Sequence, residues 1–315
     1  MTQRYSRGSL REMRHGQPFE FAWRAADDHQ WIEANALDSA HKPRAYLVPV
    51  AGMLKGYKPL ESATGLFRDF SQLERTEDAF RGFANKYGML GAGSSLVIPT
   101  SSPQFAVAST GITRQGKKKG EPLVLGESFD FWAEQVSAMN RAVQLWAALS
   151  SATPQDKLRN FIEWRDEGSV IYRHSGEAWE WIATKFHHPE LLPRLQYPDL
   201  LQPAWYQLQN LVNQQLEKLA SCPQLLWERT KLLLFIRPQS LIAAMWLQFA
   251  LAIDGERQYR RCEGCGRWFE IGGGRMRTDS QTCGQTCRQR KHRERQKKAA
   301  HKTRRGNIHG SRKTR

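Results

Sequence analysis

Cys262-Glu263-Gly264-Cys265-Gly266-Arg267-Trp268-Phe269, followed by Cys283-Gly284-Gln285-Thr286-Cys287-Arg288-Gln289-Arg290-Lys291 with seventeen residues between Cys265 and Cys283, is the stretch from which the C-terminal architecture is read. C-x2-C and C-x3-C pairs at this separation predict four thiolate ligands around one metal ion. In the first pair the glycines allow a tight turn whose amides point at sulfur. In the second, a helix beginning near Thr282 would present Cys283 and Cys287 on one face of its first turn, where free amides and the helix dipole favour thiolates. A knuckle with two ligands and a helix with two is the plan of a treble-clef-like zinc finger. Trp268, Phe269 and Ile271 are its expected apolar support and Gly272 to Gly274 a hairpin tip. Cys262, Cys265, Cys283 and Cys287 are therefore expected to hold one structural Zn2+, because four sulfurs close the tetrahedron to water and substrate. A redox pair would call for other spacings; an iron-sulfur cluster uses the same ligands and is disfavoured.

Beyond Cys287 the chain reads Arg288-Gln289-Arg290-Lys291-His292-Arg293-Glu294-Arg295-Gln296-Lys297-Lys298, good helix formers with no apolar face. The formal net charge of the 315-residue chain is +16, and residues 256–315 hold 19 Lys/Arg against 5 Asp/Glu, so almost all the excess lies there. Such a field attracts polyanions, nucleic acid first. Arg288, Gln289 and Arg290, nearest the metal, are the candidates for base readout; Lys291, Arg293, Arg295, Lys297 and Lys298 are candidates for phosphate contact.

Upstream, the patterning predicts a mainly α body with a few short strands, an α+β region over 18–255 with a sub-boundary near 110–126. It is flanked by a flexible basic arm over 1–17, the finger and basic helix over 256–300, and a disordered basic tail over 301–315. Arg44 to Val50 and Ser95 to Pro99 read as extended. One helix starts at Thr76, carries Phe80, Phe83 and Tyr87 on one face and stops at Gly88. Another, capped by Ser128, places Trp132, Val136, Met139, Val143 and Trp146 on one face. Thr153 and Pro154 open a helix with Leu158, Phe161 and Ile162 inward and Gly168 near its end, and a further one runs from Ala204 to Leu219. Lys231 to Ile236 fits a strand or a helix, and Ser240 begins an apolar helix, Leu241 to Ile253. The Gly-rich, basic stretch over 109–122 reads as a loop. Most of the eleven tryptophans fall at helical spacing and read as core; Trp179 and Trp181, taken as helical, would face different sides. Cys222 reads as a buried, inert thiol.

From about Pro238 to Lys298 the sequence resembles the bacterial CGNR-type zinc-finger proteins: an apolar helix, Arg-Arg-Cys-x2-Cys-Gly-Arg-Trp-Phe, a second cysteine pair and an Arg-rich helix. Arg288-Gln289-Arg290 stands where that family has Gly-Asn-Arg, which keeps a sister treble-clef group open. Thr64-Gly65-Leu66-Phe67-Arg68 and Phe83 to Gly88 extend the likeness more loosely. The resemblance implies a helical regulatory region followed by a DNA-binding finger.

The function expected is nucleic-acid binding, as a DNA-binding transcriptional regulator with a sensing or assembly body. RNA or ribosome binding is the alternative, and an enzyme carried to nucleic acid by its finger is a third. No P-loop, dinucleotide fingerprint, H-E-x-x-H or G-x-S-x-G is present, so no catalytic residue is assigned. His187-His188 with Glu190, and Asp27-Asp28 with His29, are the weak metal or base candidates. A homodimer and a small-molecule effector are possible partners. The lack of an apolar leader or spanning run predicts a soluble, cytoplasmic protein.

Overall fold

The computed structural model describes residues 21–36, 43–50, 55–59, 63, 65–100, 124–174, 179–219, 221–228, 231–255, 258–271, 277, 279–294 and 296; the side chains of 221–228, 231–235 and 258 lie outside that description. The expected arm over 1–17, loop over 109–122, Gly272–Gly274 tip and tail over 301–315 fall outside the described residues, as does the Cys222 thiol.

The mainly α expectation is overturned: the chain is a mixed α/β protein whose strands, among the described residues, form five sheets. β1 (Trp23–Ala25) pairs antiparallel with β4 (Lys55–Tyr57). β2 (His29–Ala36), β3 (Arg44–Pro49), β5 (Ser94–Pro99) and β6 (Val124–Ser128) close into a small barrel in the order β2-β3-β6-β5. Its interior holds Ala34, Tyr46, Val48, Val97 and Val124. Ala34 and three valines keep the bore narrow around the one large side chain in this cluster, Tyr46. Closure depends on Ala34 pairing with Pro99, a contact between distant segments.

The helices that carry sequence caps form where expected. In α2 (Glu77–Tyr87) the Thr76 hydroxyl accepts from the Ala79 amide at 3.3 Å, and Phe80, Phe83 and Tyr87 are buried. Gly88 stops it at φ 90, where a Cβ would lie 2.6 Å from the Arg24 carbonyl. In α3 (Phe129–Leu149) Ser128 caps the Phe131 amide, and Trp132, Val136, Met139, Val143 and Trp146 all face inward. In α6 (Leu241–Asp254) Ser240 caps the Ala243 amide; nearly every side chain is apolar and most are buried, as an all-round apolar helix requires. The helix expected from Ala204 to Leu219 is α5 (Leu201–Lys218); Leu208, Leu211 and Val212 are buried, but Trp205 is 47% exposed. With the short α1 (Leu66–Ser71), these helices share one core running from Phe21 to Ala252.

Residues 153–184 are where helical readings fail. Only Pro154–Leu158 is helical (α4). Ile162 begins β7 (Ile162–Asp166), which joins β8 (Ser169–Tyr172) and β9 (Glu180–Thr184) in a three-stranded antiparallel sheet. Gly168 sits in the β7–β8 turn, held by the Asp166 carboxylate, which accepts from the Gly168 amide and the Ser169 hydroxyl at 2.8 Å each. Trp181 is in a strand and Trp179 immediately precedes it, so spacing by two puts both on one side. They are 41% and 48% exposed, their rings 4.8 Å apart. Lys231 to Ile236 is strand: β11 (Lys231–Pro238) pairs with β10 (Ser221–Glu228) from Ser221–Pro238 to Glu228–Lys231.

His29, a weak metal candidate, instead ties β2 to α2. The Asn85 amide nitrogen donates to the Asp28 carboxylate at 3.0 Å, so the Asn85 oxygen accepts, and His29 Nδ1 must donate to it at 2.9 Å. Asp27 pairs with Lys55. Burial lowers the His29 pKa below its usual value against the opposing pull of Asn85 and Asp28. A depressed histidine contributes stability that is present above its unfolded pKa, about 6.5, and is lost as pH falls through the folded value. His29→Gln is therefore expected to flatten the fall in melting temperature between pH 7 and pH 5. Parallel wild-type and variant curves over that range would refute it.

Candidate metal centre and basic helix

The four-cysteine segment begins with β12 (Gln258–Arg261) and β13 (Trp268–Ile271), an antiparallel hairpin in which Arg261 pairs with Trp268. Cys262 lies just past β12, and its amide donates to the Arg267 carbonyl at 2.8 Å while its own carbonyl accepts from the Gly266 amide at 2.8 Å, closing the knuckle. Two glycines have distinct physical reasons. Gly266 takes φ 73, a left-handed conformation that ordinary side chains disfavour. At Gly264 a Cβ would lie 2.9 Å from the Cys287 Cβ and 3.0 Å from its carbonyl, so the two ligand segments pack this tightly only with hydrogen there.

The helix runs over 285–294 (α7), starting later than expected, and the Arg288 amide donates to the Gly284 carbonyl at 3.1 Å. Thr282, Cys283 and Gly284 are bends, so Cys283 sits before the helix and Cys287 within its first turn. The Cys283 amide donates to Cys262 Sγ at 3.3 Å, and the Gly264 amide to the same sulfur at 3.4 Å. Cys265 and Cys283 sulfurs are 3.6 Å apart, as are those of Cys283 and Cys287, and the four sulfurs all lie within 4.8 Å of one another. These four cysteines could hold a metal ion. Cys262 and Cys287 pack with Phe269 and Ile271 in a small apolar cluster, with Trp268 only half-buried outside it.

The electrostatics differ between the pairs. Burial opposes ionisation at Cys265, but the Arg267 amide and guanidinium and the neighbouring sulfurs outweigh it and bring the thiol down to about 6. Cys262 is also lowered, burial being overcome by amides of Cys283, Gly264 and Cys265. Cys283 and Cys287 are pushed up, by burial first and then by adjoining sulfurs. Two thiols made more acidic beside two made less so are what a centred cation would convert to four thiolate ligands.

Comparison with family models, with curated proteins and with solved structures gave no match.

The geometry divides the basic helix into two faces. Lys291 pairs with Glu263 and donates to the Gln281 side chain at 3.1 Å, and Arg290 donates to the Gly264 carbonyl at 3.3 Å. Both side chains therefore brace the knuckle. Arg288, Gln289, His292, Arg293 and Gln296 are exposed, as are Arg290 and Glu294. Arg295, Lys297 and Lys298 lie outside the described residues. His292 and Gln296 were not singled out from the sequence, although both continue the Arg288–Gln289 face at helical spacing. Arg267 was also missed; its position two residues past Cys265 was the available signal.

The remaining sequence candidates do not converge on such a site. His187 and His188 sit in the turn after β9, with His188 at φ 53 and its Nδ1 3.3 Å from the Glu190 carboxylate. Among the described residues, no helix is long and apolar enough to cross a membrane.

Proposed function

We propose that this protein binds nucleic acid, as a DNA-binding regulator, through a module built on one structural zinc ion held by Cys262, Cys265, Cys283 and Cys287. The observation that carries the reading is a helix rooted at a four-sulfur cluster and presenting Arg288, Gln289, His292 and Arg293 outward. Zinc–sulfur bonds of about 2.3 Å span a tetrahedron with edges of about 3.8 Å; two of the sulfur separations are 3.6 Å and all are within 4.8 Å, so the donor set can close around this ion. When bound, zinc supplies a crosslink between knuckle and helix and leaves no open coordination position. The chain's own residues do the rest: the Cys283 and Gly264 amides satisfy Cys262, Arg290 and Lys291 fix the helix on the knuckle, and the outer face meets the polymer. The resemblance to CGNR-type fingers points the same way, with DNA favoured over structured RNA. One finger reaches few base pairs, so a homodimer suits useful specificity.

The test is titration of the metal-analysed full chain against duplex DNA and structured RNA across salt concentrations. Each phosphate contact contributes about 0.9 to the salt slope on duplex DNA. Arg288→Ala with Arg293→Ala is expected to lower that slope by up to about 1.8 by this relation. Lys291→Ala, which removes a side chain already paired to Glu263 and Gln281, is expected to leave it nearly unchanged. Equal slopes for the wild type and the double variant would remove the outer face from the interface. Preference for structured RNA would replace the DNA assignment.

A further inference from the structure

Arg68 of α1 lies among four aromatic rings drawn from both parts of the chain. Its guanidinium carbon is 5.6 Å from the Phe67 ring, 4.8 Å from Trp146, 5.2 Å from Tyr259 and 4.9 Å from Trp268. Phe67 and Trp146 belong to the body core, whereas Tyr259 and Trp268 stand on the two strands of the metal-binding hairpin. Arg68 Nε is buried with no hydrogen-bond partner among the described residues, so the rings contribute much of what holds this end of the guanidinium. A planar, weakly hydrated guanidinium suits such a stack, and a compact ammonium does not.

The surrounding contacts make the joint specific. A Cβ at Gly65 would collide with the Cβ of Trp268, so α1 begins in direct contact with β13. Gln248 of α6 fixes that start: its amide nitrogen donates to the Ala63 carbonyl at 2.9 Å, and its oxygen accepts from the Phe67 amide at 3.5 Å. The half-buried carboxylate of Asp69 feels the charges of Lys86, Arg261 and Arg267, the last two from the hairpin and knuckle. A finger that swung freely on a linker would need none of this.

We propose that Arg68 is a positioning residue that clamps the metal-binding hairpin to the body, so that the body sets both the retention of the metal and the direction in which the basic helix points. Arg68 touches no sulfur; it acts through Tyr259 and Trp268 on the strands that lead into the knuckle. Anything that displaces α1 from β13 therefore loosens the metal centre, which gives the body a mechanical route to the finger. The proposal does not rest on the nucleic-acid reading, because neither readout below contains nucleic acid.

The experiment uses the full chain loaded with zinc and compares wild type with Arg68→Ala, Arg68→Lys, Trp268→Ala, the Arg68→Ala/Trp268→Ala pair and Gly65→Ala. Two rates are followed: metal transfer to a colorimetric chelator, and backbone hydrogen exchange over 258–271 with α3 as internal reference. Arg68→Ala is expected to speed both by roughly three- to thirtyfold, the range that one to two cation–π contacts imply. Exchange in α3 should not change, Arg68→Lys should recover little, and the pair should be hardly faster than either single variant. Unchanged rates over 258–271 in Arg68→Ala, or fully additive effects in the pair, would overturn the proposal. Should Arg68→Ala expose α3 as well, Gly65→Ala decides: its added methyl group lies nearest to Trp268, and unchanged hairpin exchange there would overturn the clamp equally. A chain that takes up no zinc fails the metal reading alone and leaves the exchange measurement to judge the clamp.

Discussion

Cys287→Ser is expected to abolish stoichiometric metal binding and to melt the C-terminal module while leaving the body folded. Cys287 is the ligand with the most structural duties: its side chain is buried with Cys262, Phe269 and Ile271, and its Cβ lies against Gly264 of the knuckle. Serine keeps the volume but supplies a poor zinc ligand, and the module's apolar cluster is only a few side chains. A cluster that small does not hold a fold without its crosslink. Structural zinc contributes about 10–16 kcal/mol in isolated finger peptides, so the stability at stake exceeds what the remaining packing offers. Metal analysis should fall from one zinc per chain to none, exchange over 258–271 should approach that of an unfolded segment, and duplex affinity should drop to a residual, weakly salt-dependent level. A serine variant that still carried one tightly bound zinc would show that three cysteines suffice and would reopen the site to water and substrate.

How much of this was legible follows from how local each feature is. Thr76, Ser128 and Ser240 each precede a helix and each accepts from the amide three residues on, so the helix starts could be read directly. The four-cysteine cluster was legible for the same reason, since both pairs have short-range spacing, whereas the approach of Gly264 to Cys287 shows only in the fold. Residues 162–168 read as helix because Pro154 signals a helix start correctly and nothing in the apolar count says that it ends after Leu158. The alternation Ile162-Glu163-Trp164-Arg165 and the Asp166-Glu167-Gly168 turn carried the strand signal, and the helical frame imposed from Pro154 hid it. The barrel was harder still: two helices lie between β3 and β5, and the Ala34–Pro99 pairing that closes it has no local signature. Arg68 belongs to this second kind. Phe67, Trp146, Tyr259 and Trp268 come from four separate segments, and only the fold assembles them around one guanidinium.

Trp132→Ala is expected to produce the largest loss in the body, about 3–5 kcal/mol, the usual range for removing a buried tryptophan or phenylalanine. Its indole is fully buried and stacks on Phe80 at 5.5 Å, with Phe83 at 6.0 Å and Phe70 at 6.2 Å, so it is where α1, α2 and α3 meet. The surrounding rings belong to different helices, each held by further contacts, and therefore collapse poorly into the space left. Trp181→Ala is the control: at 41% exposure on the face of β9 it should lower stability far less. Denaturant midpoints compared at constant slope measure both, and similar losses for the two variants would contradict the core assignment. The shape of the transition carries a further consequence. Tyr259 packs on the same body core and Trp268 on Arg68, so the hairpin loses its support when that core melts. Zinc release should then coincide with the body transition in Trp132→Ala, whereas in Cys287→Ser the module is lost first and the body melts by itself. That asymmetry is the expected mark of a body that serves as platform and a four-cysteine module that depends on it.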